Sequence, residues 1–289
     1  MTGDTRRALG LELGSDAEAR WLLEEVDRRH PGASEEHRHF ALRALVERRL
    51  AGVPLQYVLG HWAFRQLDLV VDHRVLIPRP ETEQVVEVAF GVLGSAVGSR
   101  SDPLVVDLGT GSGAIALALA TEGRGRWPGI EVWATDVDAD ALEVAALNLA
   151  RARGGSPPGP TGPAVTLSRG GWWHALPGAL RGRVDLAVSN PPYVAEHEWP
   201  ELDPEVRLEP YGALVAGRGS VTGVPGMAAV EEIVAGAPAW LADRGMLVVE
   251  IAPHQAAAAL DAARRAPLGD PRIERDLAGR DRVLVAGGP

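Results

Sequence analysis

From residue 104 to the C-terminus, short continuous apolar runs alternate with stretches of helical periodicity, and this alternation narrows the possible folds more than any other feature. Residues 104–108, 130–135, 165–167, 184–189 and 246–251 read as strands, and the first three are separated by helical patterns over 114–121 and 139–151. Strands that are apolar on both faces and joined by helical crossovers imply a parallel sheet covered on both sides, hence a doubly wound α/β domain. Residues 272–276 and 282–286 leave no room for a helix between them, which predicts an antiparallel pair at the end of the chain.

The N-terminal part has a different texture. Residues 1–52 read as helical, with Ser15 as N-cap, Glu18 three residues on, and Trp21, Leu22, Leu23 and Val26 at helical spacing. Pro31-Gly32 breaks the pattern. Ser34 caps a second helix whose apolar set is Phe40, Leu42, Leu45, Val46 and Leu50. Glu35, Glu36, Arg38, Arg43, Glu47, Arg48 and Arg49 form a charged, solvated face. Residues 57–77 alternate in short segments and predict a hairpin, after which Pro78 and Pro80 punctuate the start of a helix over 81–97. Residues 154–163 and 218–226 are Gly-rich and read as loops. The expected units are 1–55, helical; 56–79, a hairpin linker; and 80–289, the α/β domain.

Composition removes several chemistries. The chain has no cysteine, which excludes disulfides and thiolate sites, and all 29 basic residues are arginine, which excludes a Schiff-base or P-loop lysine. His61, His174, His197 and His254 have no metal-ligand spacing, so no metal is expected. A net charge of -10 opposes sequence-independent nucleic-acid binding, and no run is long and apolar enough to span a bilayer. A cytoplasmic location is the expectation.

Two motifs carry chemistry. The first strand of the alternation runs into Asp107-Leu108-Gly109-Thr110-Gly111-Ser112-Gly113, ahead of an alanine-rich helix. Glycines there let a ligand approach the backbone beside a helix N-terminus. Their alternation departs from the Gly-x-Gly-x-x-Gly of dinucleotide folds. Asp136 closes the next strand, where a carboxylate can accept both hydroxyls of a ribose. Together with the leading Asp107, this suits S-adenosylmethionine (SAM) better than NAD. Asp107 and Asp136 could also be helix caps, although Asp138 suits that role as well.

The second motif, Asn190-Pro191-Pro192-Tyr193, ends the 184–189 strand. The Asn190 side-chain oxygen and the Pro191 carbonyl can accept the two N–H groups of a planar nitrogen, while Tyr193 lies against its flat face. Both motifs end strands of one sheet, so they can converge at its carboxyl edge. The combination predicts methyl transfer to an amide or an aryl amine.

These motifs and their flanks resemble the protein N5-glutamine methyltransferases, above all those acting on release factors. The resemblance extends through Pro54 to Gly60 with Phe64, Leu76 to Glu83, Val206 to Pro210, and Asp276 through Arg282 to Val283. The ribosomal-protein branch usually carries Arg-Ser-Pro where this chain has Arg79-Pro80-Glu81. The resemblance implies a class I SAM-dependent methyltransferase domain with a seven-stranded sheet and an N-terminal helical domain that helps dock the substrate. That substrate would be the glutamine of the Gly-Gly-Gln loop in class I peptide chain release factors. By position, Asp107, Gly109, Thr110, Gly111, Ser112, Gly113, Asp136, Trp172 and Asn190 would bind SAM. Asn190, Pro191, Pro192 and Tyr193 would hold the glutamine, with Asn190, Pro191 and Tyr193 at the reacting nitrogen.

Gly171 departs from the pattern, since the family often has aspartate before the aromatic residue of its adenine pocket, and Trp173 competes with Trp172 for that pocket. Ala252 stands where glycine is common, and the 154–163 loop is longer than usual. An N6-adenine nucleic-acid methyltransferase would use the same constellation on an exocyclic amine. It would also need a basic target-recognition cleft, which an acidic chain does not supply.

Overall fold

In the computed structural model, the residues described are 3–154, 162, 164–217 and 219–288; most of the 154–163 loop, and Arg218 of the 218–226 loop, lie outside them. The N-terminal unit comprises α1 (Gly3–Leu13), α2 (Asp16–Arg29), α3 (Glu35–Leu50) and the short α4 (Leu55–Leu59). Ser15 accepts from the Glu18 amide at 3.2 Å and Ser34 from the His37 amide at 3.2 Å, so both predicted N-caps form. Leu22 and Val26 pack on Leu42, Leu45 and Val46, and α4 adds Leu55, Val58 and Leu59 to this core.

Two readings of this region change. Phe40 is 76% exposed and Leu50 53% exposed. Phe40 precedes Leu42 by two residues, which on a helix turns it toward the opposite side. Arg49, placed on the solvated face, is instead half-buried: its guanidinium meets Glu18 of α2 at 2.7 Å and Glu205 of the α/β domain at 2.7 Å. The hairpin also starts later than predicted, because Tyr57 belongs to α4. Strands β1 (His61–Phe64) and β2 (Leu67–Val70) pair antiparallel around an Arg65-Gln66 turn.

After α5 (Pro80–Val97) comes the alternating domain, in the order β3 (Leu104–Leu108), α6 (Ala114–Gly123), β4 (Glu131–Asp136), α7 (Ala139–Ala152), β5 (Val165–Arg169) and β6 (Val184–Ser189). The short α8 (Tyr211–Leu214) and α9 (Ala228–Gly236) lead to β7 (Leu241–Glu250). Helix α10 (Ala256–Arg265) then precedes β8 (Gly269–Arg275) and β9 (Asp281–Gly287). The seven strands run in the order β5-β4-β3-β6-β7-β9-β8. Pairing is parallel from β5 through β7 and antiparallel at β7–β9 and β9–β8, as predicted for the last pair.

One face of the sheet is covered by α5, α6, α7 and the hairpin, through Val85, Val86, Leu93, Leu117, Trp127 and Phe64. The other is covered by α9, α10 and the segment before them, through Met227, Ile233, Trp173 and Trp240. Coverage on both faces explains why β3 and β6 are buried at every position and mostly apolar, where a half-solvated strand would alternate. The strand order reverses between β3 and β6, and the two signature motifs sit at the carboxyl ends of those two strands. That is the switch point at which doubly wound sheets open a cleft.

Candidate active site

The glycine loop is built on β3. Gly109 and Thr110 donate their amides to the Thr135 carbonyl at the end of β4, at 2.9 and 2.8 Å. Gly113 returns to the Thr110 carbonyl at 2.9 Å, which closes the loop at the start of α6. Asp107 is buried beneath it. Its Oδ2 accepts from the Thr110 hydroxyl at 2.6 Å and from the Ala116 amide at 3.1 Å. Its Oδ1 is buried with no partner among the described residues. Burial pushes the Asp107 carboxyl up to about 7, against the pull of those two hydrogen bonds.

Asp136 accepts from the Gly111 amide at 2.9 Å and the Asp138 amide at 3.0 Å, so it ties β4 to the loop while lining the cleft. Burial raises its pKa as well. Asp138 takes the capping role, accepting from the Asp140 amide at 2.9 Å at the start of α7. Gly109 has φ +74°, and a Cβ there would stand 3.0 Å from Trp172 Cζ3. The indole therefore closes over the loop only because the residue is glycine.

Trp172 and Trp173 separate cleanly. Trp172 lines the cleft, with backbone φ +43° and its indole N–H 3.2 Å from Glu232. Trp173 is buried, donates to the Ile233 carbonyl at 2.9 Å and stacks on Trp240 at 6.0 Å. Trp173 is core.

A cleft of about 420 Å³ joins these groups. Its walls include Gly109 to Ser112, Asp136, Gly171 and Trp172 on one side, and Thr82, Asn190, Pro192 and Pro210 on the other. Pro191 is buried next to it in the chain, and neither Pro191 nor Tyr193 forms part of the wall. Tyr193 is held through its backbone: its carbonyl accepts from Gln255 Nε2 at 3.1 Å, and a Cβ on Gly226 would collide with that carbonyl. Burial and the nearby Glu250 charge push the Tyr193 phenol up to about 12, so it stays protonated at neutral pH.

Several buried polar residues that carried no assigned role in the sequence reading hold this geometry. Thr82, in the first turn of α5, accepts from Asn190 Nδ2 at 3.0 Å and donates to Glu250 Oε2 at 2.8 Å. Glu209 accepts from the Ile77 amide at 2.9 Å and from Arg79, fastening the 206–210 segment to the 76–83 segment. Asn148 of α7 bonds Val70 of the hairpin through both ends of its amide and donates to the Ser112 carbonyl at 2.9 Å. Thr82 and Glu209 lie within segments that carry the family resemblance, whereas Asn148 was marked only by a polar side chain inside an apolar helix.

The cleft suits SAM in size and chemistry. It has an aromatic wall and a carboxylate at the end of β4; beneath the loop, outside the cleft wall, Asp107 holds a buried carboxylate oxygen that an ammonium group would satisfy. Among the described residues no cluster of His, Asp or Glu could hold a metal ion, and no helix is long and apolar enough to cross a membrane.

The family model described as "Methyltransferase small domain" matches residues 84–202. A release factor glutamine methyltransferase from Xylella fastidiosa (strain Temecula1) is 39% identical over 274 residues, covering 95% of this chain and 89% of that one. One from Gloeobacter violaceus is 40% identical over 258 residues, covering 88% and 82%. Among solved structures, the N-terminal domain of human METTL16 in complex with SAH superposes with a TM-score of 0.52 at 15% identity, over 85% of this chain and 83% of that one, which is a likeness of fold. The protein is thus a SAM-dependent methyltransferase with the class I fold. With identity of this order along nearly its whole length, the chain belongs to the release factor glutamine methyltransferase family.

Proposed function

We propose that this protein methylates the side-chain amide nitrogen of the glutamine in the Gly-Gly-Gln loop of class I peptide chain release factors. The observation that carries this reading is the setting of Asn190. It ends β6 beside the glycine loop, and its Nδ2 is engaged by Thr82, which leaves Oδ1 as the end of the amide offered to the cleft. An acceptor there suits an incoming N–H. Asp107, Gly109 to Gly113, Asp136 and Trp172 would hold SAM, which supplies an electrophilic methyl group on a sulfonium.

The chain's own residues then solve one problem. An amide nitrogen is a poor nucleophile because its lone pair is shared with the carbonyl. Asn190 Oδ1 and the Pro191 carbonyl accept its two N–H groups, fix its plane and make it more electron-rich. Positioning of this kind supplies roughly 7–11 kcal/mol in favourable cases. Acceptor dipoles aimed at a nitrogen that turns positive add to it. The high phenol pKa of Tyr193 supports a packing role against the amide plane over a proton-transfer one. No strong base is required, since an alkylated amide is acidic enough to lose its proton to water.

Residues 1–55 act as a docking unit for the release factor and 80–289 as the transferase, with 56–79 between them. The Arg49–Glu205 ion pair supports a coupled arrangement, because it joins α3 to the segment that carries Pro210 of the cleft wall. The net charge of -10 supports a protein substrate over a nucleic acid, and modification of translation factors suits a cytoplasmic site. The test is incubation with methyl-labelled SAM and a class I release factor, with and without its Gly-Gly-Gln glutamine replaced. Label confined to the intact factor is expected. Label that persists after replacement would refute the assigned acceptor.

A further inference from the structure

We infer that Thr82 and Glu250 act as a hydrogen-bond relay that determines which end of the Asn190 amide faces the substrate. The inference deepens the reading of Asn190 above and rests on it. A side-chain amide is nearly symmetric in shape but opposite in function at its two ends, one an acceptor and the other a double donor. Against a substrate NH₂ group only the oxygen end works. Turned over, the amide sets donor against donor.

What selects the correct end is the proton count of its neighbours. The Thr82 hydroxyl carries a single proton, and Thr82 is buried in the first turn of α5. Glu250, at the end of β7, is 1% exposed, and its Oε2 lies 2.8 Å from Thr82 Oγ1. An ionised carboxylate only accepts, so the Thr82 proton is committed to Glu250. Thr82 Oγ1 is left with acceptor capacity alone, and the group 3.0 Å away must be a donor, Asn190 Nδ2. Asn190 Oδ1 is thereby aimed the other way, toward the cleft.

If Glu250 takes up a proton, the direction can reverse along the whole chain. The carboxyl O–H donates to Thr82, the Thr82 proton passes to the Asn190 side, and the oxygen end of Asn190 turns to receive it. The relay therefore works with Glu250 ionised. The charged groups that bear on Glu250 are Arg282 of β9 and Arg79 and Glu81 at the start of α5, and the neutral, titratable phenol of Tyr193 after β6 also faces it; Arg282 is itself held by Asp276 at 3.3 Å. Arg282 and Arg79 favour the carboxylate, whereas burial and Glu81 oppose it. Burial wins and holds the carboxyl up to about 7. Thr82 and Glu250 are positioning residues, acting only through Asn190.

The experiment measures kcat and KM for the release factor, together with cofactor affinity by calorimetry, in the wild-type enzyme and in Thr82→Val, Thr82→Ser and Glu250→Gln, across about pH 6 to 8.5. Thr82→Val keeps the shape and removes the hydroxyl. It is expected to lower kcat by roughly 10- to 100-fold while changing cofactor affinity less than about twofold. Thr82→Ser is expected to keep kcat within about threefold of wild type, because the hydroxyl is retained. Wild-type kcat should fall on the acid side of about pH 7, and that limb should vanish in Glu250→Gln, whose side chain does not titrate. Wild-type kcat in Thr82→Val, equal losses in the Val and Ser variants, a loss lying wholly in cofactor affinity, or an acid limb that survives Glu250→Gln would each overturn the relay. Should Thr82→Val fail to fold, the Ser variant and the Glu250→Gln profile decide it. A wild-type enzyme that binds SAM but methylates no release factor would fail the underlying reading first, a result distinct from active variants.

Discussion

The Ser189 hydroxyl donates to the Leu108 carbonyl at 2.6 Å, joining the ends of β6 and β3 just before Asn190 leaves one strand and Gly109 leaves the other. Both residues are fully buried. The bond sets the spacing between the cofactor loop and the substrate motif with no contribution from either. Ser189→Ala is expected to cost about 1 kcal/mol, read as a shift in denaturation midpoint at unchanged slope. It should also weaken cofactor binding, since the loop loses its registration with β6. An unchanged midpoint would show that the clamp adds nothing.

Gly109→Ala meets two obstacles at once, a left-handed φ of +74° and a Cβ 3.0 Å from the Trp172 ring. The backbone strain alone is roughly 1–2 kcal/mol. The indole must also shift from the cleft wall. A loss of cofactor affinity of about tenfold or more is expected in calorimetry, with thermal stability lowered less than affinity.

Asn190→Ala removes the acceptor and leaves the glycine loop intact. Turnover should fall by roughly 10²–10³ or more, in line with the loss of one preorganised hydrogen-bonding group at a reacting centre. Cofactor affinity should stay near wild type. A variant that loses mainly cofactor affinity would reassign Asn190 from the substrate to SAM.

The pH dependence of stability follows from two opposing sets of carboxylates. Glu25 and Asp72 are held below the usual carboxylate range by hydrogen bonds from nearby arginines, and Glu231 by hydrogen bonds from the 220–222 segment, each outweighing burial, so their stabilisation is lost as pH falls. Asp107 and Glu250 are raised to about 7, so the folded state binds more protons than the unfolded one between about pH 4.5 and 7. Stability therefore declines as pH rises through that window and levels off above it. The expected profile for the cofactor-free protein has its maximum near about pH 5, measured by denaturant unfolding at a series of pH values. Asp107→Asn should flatten the decline above the maximum.

Cofactor binding should act on the same group. An ammonium near the unpartnered Asp107 Oδ1 favours the carboxylate, so binding near about pH 6.5 should release protons. Calorimetry in buffers of different ionisation enthalpy measures this directly. Asp107→Asn should abolish most of the release.

Much of this was legible in the chain. Short continuous apolar runs marked β3, β4 and β6, and the absence of a helix between β8 and β9 predicted their antiparallel pairing. Ser15, Ser34 and Asp138 declared themselves as caps, because a cap is a local bond between residues two or three apart. Phe40 was misassigned for the opposite reason: an apolar residue within a helical pattern faces the core only if its angular position does. Trp172 and Trp173 are neighbours of the same type, and no local rule separates them. The backbone turn at Gly170-Gly171 and the Ile233 carbonyl did so.

By itself the sequence determined the elements, their alternation, and the pair of motifs that name the chemistry, because all of these depend on neighbours within a few residues. The tertiary structure alone decided which distant polar groups meet. Asn190 and Thr82 are 108 positions apart, and Thr82 and Glu250 are 168 apart. The parallel pairing of β6 with β7, with α5 packed against both strands, brings them to one point. A buried polar side chain signals its need for a partner in the sequence, but the fold chooses the partner.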